Sequence, residues 1–180
     1  MTDTVVYPIP DHFSEAHVTP ERYHTLYRQS LDDPDTFWSE QAQLLDWHSP
    51  WSAVSETDVA KGAARWFVDA KLNVSVNCID RHLPERAHDT AIIWEGDDPD
   101  DSQSFTYQEL KIQVCRFANA LRAQGIGKGD RVCIYMPMIP EAAFAMLACA
   151  RIGAIHSVVF GGFSPEALKD RINDATCSMV

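Results

Sequence analysis

The sequence lacks the short motifs that most often mark a metal or a phosphate site. Its five cysteines include no Cys-x-x-Cys pair and no Cys–His spacing typical of zinc. Neither a Gly-x-Gly-x-x-Gly fingerprint nor a Walker phosphate loop is present. An odd number of widely spaced cysteines, most of them in apolar segments, predicts buried free thiols in a reducing cytoplasm. The cysteines are Cys78, Cys115, Cys133, Cys149 and Cys177.

Signals for secretion, membrane insertion and binding to polyanions are missing as well. The first 13 residues contain neither the basic nor the apolar segment of a secretory signal. The longest apolar run, near Ala142–Ala150, is too short to cross a bilayer. The formal net charge of −11 disfavours nonspecific binding to nucleic acids and to anionic membranes. We therefore expect a cytoplasmic protein with neither a nucleic acid nor a membrane as its partner.

The residues that are present predict a folded domain that begins with helices. Hydrophobic residues make up 46% of the chain and charged residues 23%, which is a globular composition. Residues 1–18 read as an extended arm. Thr19-Pro20-Glu21 and Asp33-Pro34-Asp35 each combine an N-cap, a first-turn proline and a first-turn acid, so each predicts a helix start. Residues 52–63 are polar and predict a surface loop, and a short strand follows at Trp66–Val68.

The middle of the chain predicts a hairpin and a long helix. Thr90–Glu95 and Ser104–Tyr107 read as paired strands around an acidic turn without the spacing of a calcium loop. Thr106 and Glu109 form a capping box for a helix that runs to about Gln124. Upstream, Asp80-Arg81-His82 resembles an acid–base cluster. No nucleophile or metal partner lies nearby in the sequence, which favours salt bridges and hydrogen bonds there.

From Arg131 onward the pattern is β-α-β-α-β, which predicts an α/β fold. Arg131–Met136 is almost continuously apolar, as in a parallel strand buried on both faces. A helix from Pro140 to Gly153, a strand at Ala154–Phe160 and a helix at Ser164–Asp174 follow. Right-handed crossovers would place the strands in one parallel sheet. The last strand, Thr176–Val180, has no room to finish, so we expect the chain to be part of a longer protein.

The stretch Ser157–Asp170 organises this half of the chain. A strand ends in Gly161-Gly162, and Ser164 and Pro165 then supply the N-cap and first residue of a helix. Ligands of open α/β sheets bind at the carboxyl ends of strands, and glycines let a ligand approach the backbone. The alternative interpretation is that Gly-Gly only makes a tight turn. From these residues alone, both remain open.

Several long segments resemble the amino-terminal region of AMP-forming acetyl-CoA synthetases. These are LNVSVNCIDRHL at 72–83, TAIIWEGDD at 90–98, VCRFANAL at 114–121, the run at 134–168, and RINDA at 171–175. The first 60 or so residues resemble the helical cap of this family. Asp69-Ala70-Lys71 departs from the glycine-containing turn often found there, which we interpret as a harmless loop change.

The resemblance implies an N-terminal arm and helical cap at 1–64, followed at 65–180 by the start of the large AMP-binding, adenylate-forming domain. It implies a ligase that makes acetyl-adenylate from acetate and ATP, and then acetyl-CoA and AMP by attack of CoA. The whole enzyme would use ATP, CoA and Mg²⁺, and the remainder of the synthetase chain would be this segment's partner.

The resemblance also carries over one site. In this family the Phe-Gly-Gly turn lies near the nucleotide end of CoA, which corresponds to Phe160, Gly161 and Gly162. It assigns no catalytic residue and no metal ligand to this chain, because the phosphate loop, the ribose-binding acid, the carboxylate pocket and the catalytic lysine are expected beyond Val180. The chain alone is therefore expected to be inactive and to bind none of these ligands tightly.

Three alternatives differ in class. A propionate–CoA ligase segment would have the same sequence features, since the acyl pocket is not included. A non-catalytic truncated module would bind a protein partner or a nucleotide by its exposed sheet edge. A generic doubly wound nucleotide-binding domain, unrelated to ligases, would be expected to carry a Gly-x-Gly-x-x-Gly motif, which is absent.

Overall fold

A computed structural model describes Tyr7, Pro10, Phe13 and residues 15–98 and 100–180. Most of the arm predicted for the first 18 residues lies outside the described residues. The chain separates into two compact units. The first unit comprises Met1–Leu45 and Trp51–Asp69, and the second comprises Asp46–Pro50 and Ala70–Val180.

The first unit contains two capped helices and a hairpin. The helices are α1 (Pro20–Asp32) and α2 (Pro34–Ala42), and the antiparallel strands are β1 (Ala53–Asp58) and β2 (Ala63–Val68). The N-cap predictions are confirmed, because Thr19 Oγ1 accepts from the Arg22 amide at 3.3 Å and Asp33 Oδ1 from the Thr36 amide at 3.2 Å.

The surface loop predicted for residues 52–63 is wrong. This segment forms β1 and a 3₁₀ turn, Val59–Lys61, that ends at Gly62. Gly62 has a φ of 64°, a left-handed conformation that glycine adopts without a steric penalty. Because a two-stranded ribbon buries little of either face, most side chains of β1 can be polar. Val54 is the buried residue of β1.

The departure at Asp69 has a structural consequence. Asp69 has a φ of 62°, a conformation that favours glycine and that aspartate tolerates better than most residues. Its Oδ2 accepts a hydrogen bond from Ser52 Oγ at 2.9 Å. One bond of this kind contributes about 1 kcal/mol, which is similar to the cost of the left-handed backbone at Asp69 and largely offsets it.

The second unit contains the remaining helices and strands. In chain order they are α3 (Val74–Cys78), α4 (Leu83–Arg86), β3 (Thr90–Glu95), β4 (Ser102–Thr106), α5 (Tyr107–Ala123), β5 (Arg131–Met136), α6 (Pro140–Ile152), β6 (Ile155–Phe160) and α7 (Pro165–Asp174). Strands β3 and β4 pair antiparallel, which confirms the predicted hairpin. The capping box of α5 is confirmed in both directions, since Thr106 Oγ1 accepts from the Glu109 amide and Glu109 Oε2 from the Thr106 amide.

The parallel pair β5–β6 confirms the α/β class, and the backbone after α7 adds the incomplete third parallel strand that was predicted. The register runs from Arg131–Ile155 to Met136–Phe160. Beyond α7, one parallel bridge joins Met179 to Val132, on the side of β5 away from β6. The Ser178 amide donates to the Arg131 carbonyl and the Cys133 amide to the Met179 carbonyl, both at 2.8 Å, as in a parallel strand that pairs with β5. The order of strands therefore reverses at β5, and such a reversal opens a crevice at the carboxyl ends of the strands.

The core of this unit lies between α5, α6 and the β5–β6 pair. One face of α5 is buried at Leu110, Val114, Ala118 and Leu121, and Phe117 packs against this core cluster from its edge. Small residues at Ala145 and Ala148 let α6 approach its neighbours closely. No helix of the described residues is long and apolar enough to span a membrane.

The prediction of buried thiols is only partly confirmed. Cys133 and Cys149 are buried and free, and burial raises the pKa of both thiols. Cys78 is exposed, contrary to the prediction, because Ser75 and Asn77 occupy the buried positions of the short helix α3. Cys115 and Cys177 are free and half-buried.

Candidate ligand site at the carboxyl end of the parallel strands

The strand–turn–helix predicted at Ser157–Asp170 is confirmed. Strand β6 ends at Phe160, and α7 begins at Pro165. Ser164 is the N-cap, since its Oγ accepts from the Ala167 amide at 3.3 Å. A backbone hydrogen bond and, to a smaller extent, the Ser164 hydroxyl lower the pKa of Glu166, which suits a carboxylate at the positive end of a helix. The turn between them exposes Phe160 and both glycines.

Tyr135 of β5 fixes the shape of this turn. Its hydroxyl lies 3.0 Å from the Gly161 carbonyl oxygen and 3.3 Å from that of Phe163, so it can donate to either. The Phe163 amide also donates to the Phe160 carbonyl at 3.1 Å. The parallel register places Tyr135 one residue before the end of β5, directly beside the turn that follows β6.

The two glycines have different surroundings. A Cβ on Gly161 would lie 3.5 Å from the Met136 carbonyl oxygen, an ordinary contact. A Cβ on Gly162 would lie 2.7 Å from Cε1 of Phe160, too close unless the ring moves. The space above Gly162 is thus taken by the Phe160 ring itself. Glycine at 162 allows that ring to lie over its own turn with 60% of the residue exposed.

Phe160 contacts a second aromatic ring, which in turn makes a cation–π contact with an arginine. The Phe160 and Phe163 rings meet edge to face with centroids 6.1 Å apart. The Arg171 guanidinium of α7 lies over the Phe163 ring, 5.0 Å from its centroid. Arg171 forms no ion pair with any residue that the structure describes. Its positive charge is therefore available to an anionic group beside the aromatic rings.

A largely apolar cavity of about 430 Å³ opens beside these rings. Its walls come from the ends of β5 and β6, the start of α6 and the loop Pro137–Ile139, and Arg171 is its charged lining residue. The Trp94 indole N–H donates to the Met138 carbonyl at 2.7 Å and so ties the loop to the β3–β4 hairpin. An apolar wall with one cation is suited to a flat aromatic group that carries negative charge nearby.

Sequence reasoning missed three residues of this site. Tyr135 lies on the neighbouring strand β5, Phe163 directly follows Gly162, and Arg171 lies about two helical turns into α7. The Phe-x-x-Phe spacing at 160 and 163 was a local signal for the aromatic pair. No sequence pattern marked Tyr135 or Arg171, because both contacts depend on how β5 and α7 are placed.

The Asp80 cluster is located elsewhere in the second unit and has the structural contacts that were predicted for it. The Asp80 carboxylate accepts from Arg151 at 2.7 and 2.8 Å and lies 3.0 Å from Lys111 Nζ. The hydrogen bond from Arg151 lowers the pKa of Asp80, with a smaller contribution from Lys111. Arg81 donates to Asn77 Oδ1 at 3.2 Å. Asp80 therefore fastens the end of α6 to the segment after α3.

Within the ranges 15–98 and 100–180, no three His, Cys, Asp or Glu side chains lie close enough together to hold a metal ion. The acidic turn between β3 and β4 includes Gly96, whose amide donates to the Asp101 carbonyl at 2.8 Å, and Asp98, which accepts from the Asp100 amide at 3.0 Å. These are turn-forming hydrogen bonds.

Comparison with known proteins shows the class. The family model of AMP-binding enzymes matches residues 79–180, and the chain belongs to that family. The model of the acetyl-coenzyme A synthetase N-terminus matches residues 23–78. The resemblance to the amino-terminal region of acetyl-CoA synthetases is thereby confirmed, and an unrelated nucleotide-binding domain is excluded.

Individual relatives give the same result. The chain is 68% identical, over 92% of its length, to acetyl-coenzyme A synthetase 2 of Pseudomonas putida. It is 62% identical to the acetyl-coenzyme A synthetase of Alkalilimnicola ehrlichii and 60% identical to that of Saccharophagus degradans, in both cases over its whole length. The chain spans 26% of the first relative and 28% of the other two.

A prediction follows for Tyr135. Tyr135→Phe removes the hydroxyl that contacts the Gly161 and Phe163 carbonyls and leaves the ring in place. We expect the free energy of unfolding to fall by about 1 kcal/mol, the net contribution of one hydrogen bond. Urea denaturation followed by circular dichroism measures this change. An unchanged denaturation midpoint would show that the hydroxyl does not hold the turn.

Proposed function

We propose that the chain is a segment of an AMP-forming acetate–CoA ligase, an enzyme that makes acetyl-CoA from acetate, ATP and CoA through an acetyl-adenylate. The observation that carries this proposal is the high identity, along essentially the whole chain, to proteins named acetyl-coenzyme A synthetase. The same names favour acetate over propionate as the substrate. No comparison favours a non-catalytic binding module.

The chemistry requires activation of a poor leaving group. A carboxylate does not transfer its acyl group readily to a thiol, whereas an acyl phosphate anhydride does. Mg²⁺ would neutralise the phosphate charges that develop when pyrophosphate leaves. We assign the ligands of Mg²⁺ and of the ATP phosphates, and the catalytic groups, to the part of the enzyme outside this chain.

Within the chain, we assign Phe160, Gly161 and Gly162 to one side of the CoA-binding site, which we call the CoA wall. The exposed face of Phe160 offers a surface for the adenine ring, and the apolar cavity beside it leaves room for a flat group. Base–aromatic stacking contributes about 1–3 kcal/mol. Arg171 would place a positive charge near the phosphates of the same ligand.

The domain division and location remain proposals. We propose a helical cap over residues 1–64 and the start of the AMP-binding domain at 65–180. The N-terminal model matches 23–78 and the AMP-binding model matches 79–180, which supports the order of the two parts and puts their junction at 78/79 rather than 64/65. We place the enzyme in the cytoplasm, with the remainder of the synthetase as this segment's partner and with neither nucleic acid nor membrane involved.

Product analysis tests the proposed function. A longer protein that contains this chain should convert acetate, ATP and CoA into acetyl-CoA, AMP and pyrophosphate in equal amounts. The 180-residue chain alone should form no acetyl-CoA. Formation of ADP and phosphate by the longer protein, or ligation by the chain alone, would overturn the proposal.

A CoA titration of the 180-residue chain supplies a second prediction. Because the chain offers one wall of the site, we expect weak binding, with a Kd above about 100 μM, equivalent to less than about 5.5 kcal/mol of binding free energy. Isothermal titration calorimetry measures the Kd. A low micromolar value would contradict the assignment of most CoA contacts to residues outside the chain.

A further inference from the structure

A second cavity, of about 530 Å³, lies apart from the Phe160 turn and shares no lining residue with it. It is formed by the end of α5, the loop that follows and the end of α6. Three cations line it, Arg122, Lys128 and Arg151, and Asn119 adds a side-chain amide. No acidic residue lines this cavity. The cluster of positive charge is notable in a chain whose formal net charge is −11.

Two of the three cations are held in position by the fold. Arg151 is oriented by its paired hydrogen bonds to Asp80 at 2.7 and 2.8 Å. The aliphatic part of the Lys128 side chain packs against Gly153. A Cβ at position 153 would lie only 3.1 Å from Lys128 Cγ. The Gly129 amide donates to the Gly153 carbonyl at 3.0 Å, which fastens the loop to the end of α6. Arg122 projects from the last turn of α5.

The nearby acids are already engaged, whereas two of the cations are not. Asp80 is paired with Arg151 and Lys111, and Asp130 Oδ2 accepts from the Gly127 amide at 2.7 Å. Neither Arg122 nor Lys128 forms an ion pair with a described residue. A concave surface lined by charge of one sign concentrates ions of the opposite sign.

We propose that this cavity is a binding site for a small phosphate-bearing polyanion with at least two negative charges, either a diphosphate or a nucleotide. Its volume falls within the range of about 300–1,000 Å³ typical of small-molecule sites. Guanidinium groups bind phosphate oxygens through two parallel hydrogen bonds, and an ammonium group adds a point charge. The site is independent of the CoA wall at Phe160–Gly162.

The test is a titration of the 180-residue chain with inorganic pyrophosphate in metal-free buffer, followed by amide chemical shifts. Saturable shifts are expected at Asn119, Gly127 and Lys128. Arg122→Gln and Lys128→Gln should each raise the Kd about tenfold, as expected for loss of one charge-assisted hydrogen bond. The matched control Lys169→Gln removes the same charge from α7 and should change the Kd less than about twofold.

A parallel titration with AMP separates the two ligand sources. Tighter binding of AMP assigns the site to nucleotides, and tighter binding of pyrophosphate assigns it to diphosphates. The proposal is overturned if no shift saturates with either probe, or if the shifts cluster away from the cavity. It is also overturned if the Arg122 and Lys128 variants, shown by circular dichroism to be folded, bind as tightly as the Lys169 control.

Discussion

Replacing Asp80 with asparagine should lower the free energy of unfolding by about 2–3 kcal/mol, because it leaves Arg151 and Lys111 without their shared counter-ion. The side chains of Asp80 and Arg151 are 22% and 20% exposed, so water screens this pair poorly. Asparagine keeps the shape of the side chain and can accept one hydrogen bond. It cannot neutralise two cations.

A matched control is provided by Asp89. Arg86–Asp89 is also an arginine–aspartate ion pair, but it has a single contact at 2.9 Å and its side chains are 49% and 55% exposed. Asp89→Asn should therefore lower stability much less than Asp80→Asn does, because solvent screens an exposed ion pair. Urea denaturation of both variants measures the difference. If the two substitutions cost the same, the Asp80 cluster does not fasten α6 to the preceding segment.

The Asp80 pair also predicts a pH dependence. The hydrogen bond from Arg151 lowers the pKa of Asp80 in the folded chain. In the unfolded state the pKa of Asp80 is about 3.9. Between this value and the lower pKa of the folded state, the folded chain binds fewer protons at Asp80, so stability rises with pH. The contribution is fully present above the unfolded pKa and is lost as pH falls through the folded pKa. The difference in the free energy of unfolding between the parent chain and Asp80→Asn should shrink as pH falls through the same interval.

In a longer protein that contains this chain, Phe160→Ala should raise the KM for CoA about tenfold through loss of base stacking. The acetate-dependent release of pyrophosphate should stay within about twofold of the parent, because adenylation precedes CoA binding in the proposed reaction. Steady-state kinetics with CoA as the varied substrate, together with a pyrophosphate assay without CoA, separate the two effects.

The control for this prediction is Phe160→Tyr. Tyrosine retains an aromatic face above Gly162, so the KM for CoA should stay within about threefold of the parent. Equal impairment of pyrophosphate release and thioester formation by Phe160→Ala would indicate general disruption of the domain. That result would contradict the assignment of Phe160 to the CoA wall.

The parts of the fold that could be predicted depend on contacts between near neighbours in sequence. The capping box at Thr106 and Glu109 and the N-cap at Ser164 involve residues three apart, and so their geometry follows from the chain itself. The hairpin strand β1 was missed because its polar sequence gives no periodic apolar signal.

The remainder of the site depends on contacts between distant segments. Tyr135 and Gly161 are 26 residues apart in the chain and meet only because β5 and β6 pair in one register. Asp80 and Arg151 are 71 residues apart, and neither has a local pattern that identifies the other. The Asp80–Arg151 pair is set by the packing of α6 against α3 and α5, which no short window of sequence contains.

The most direct measurement is the exchange of labelled pyrophosphate into ATP by a longer protein that contains this chain, with CoA omitted. An AMP-forming acetate–CoA ligase makes its acyl-adenylate reversibly before CoA reacts. The account therefore predicts exchange that requires acetate and does not require CoA. Exchange that is absent without CoA, or that proceeds without acetate, would contradict it.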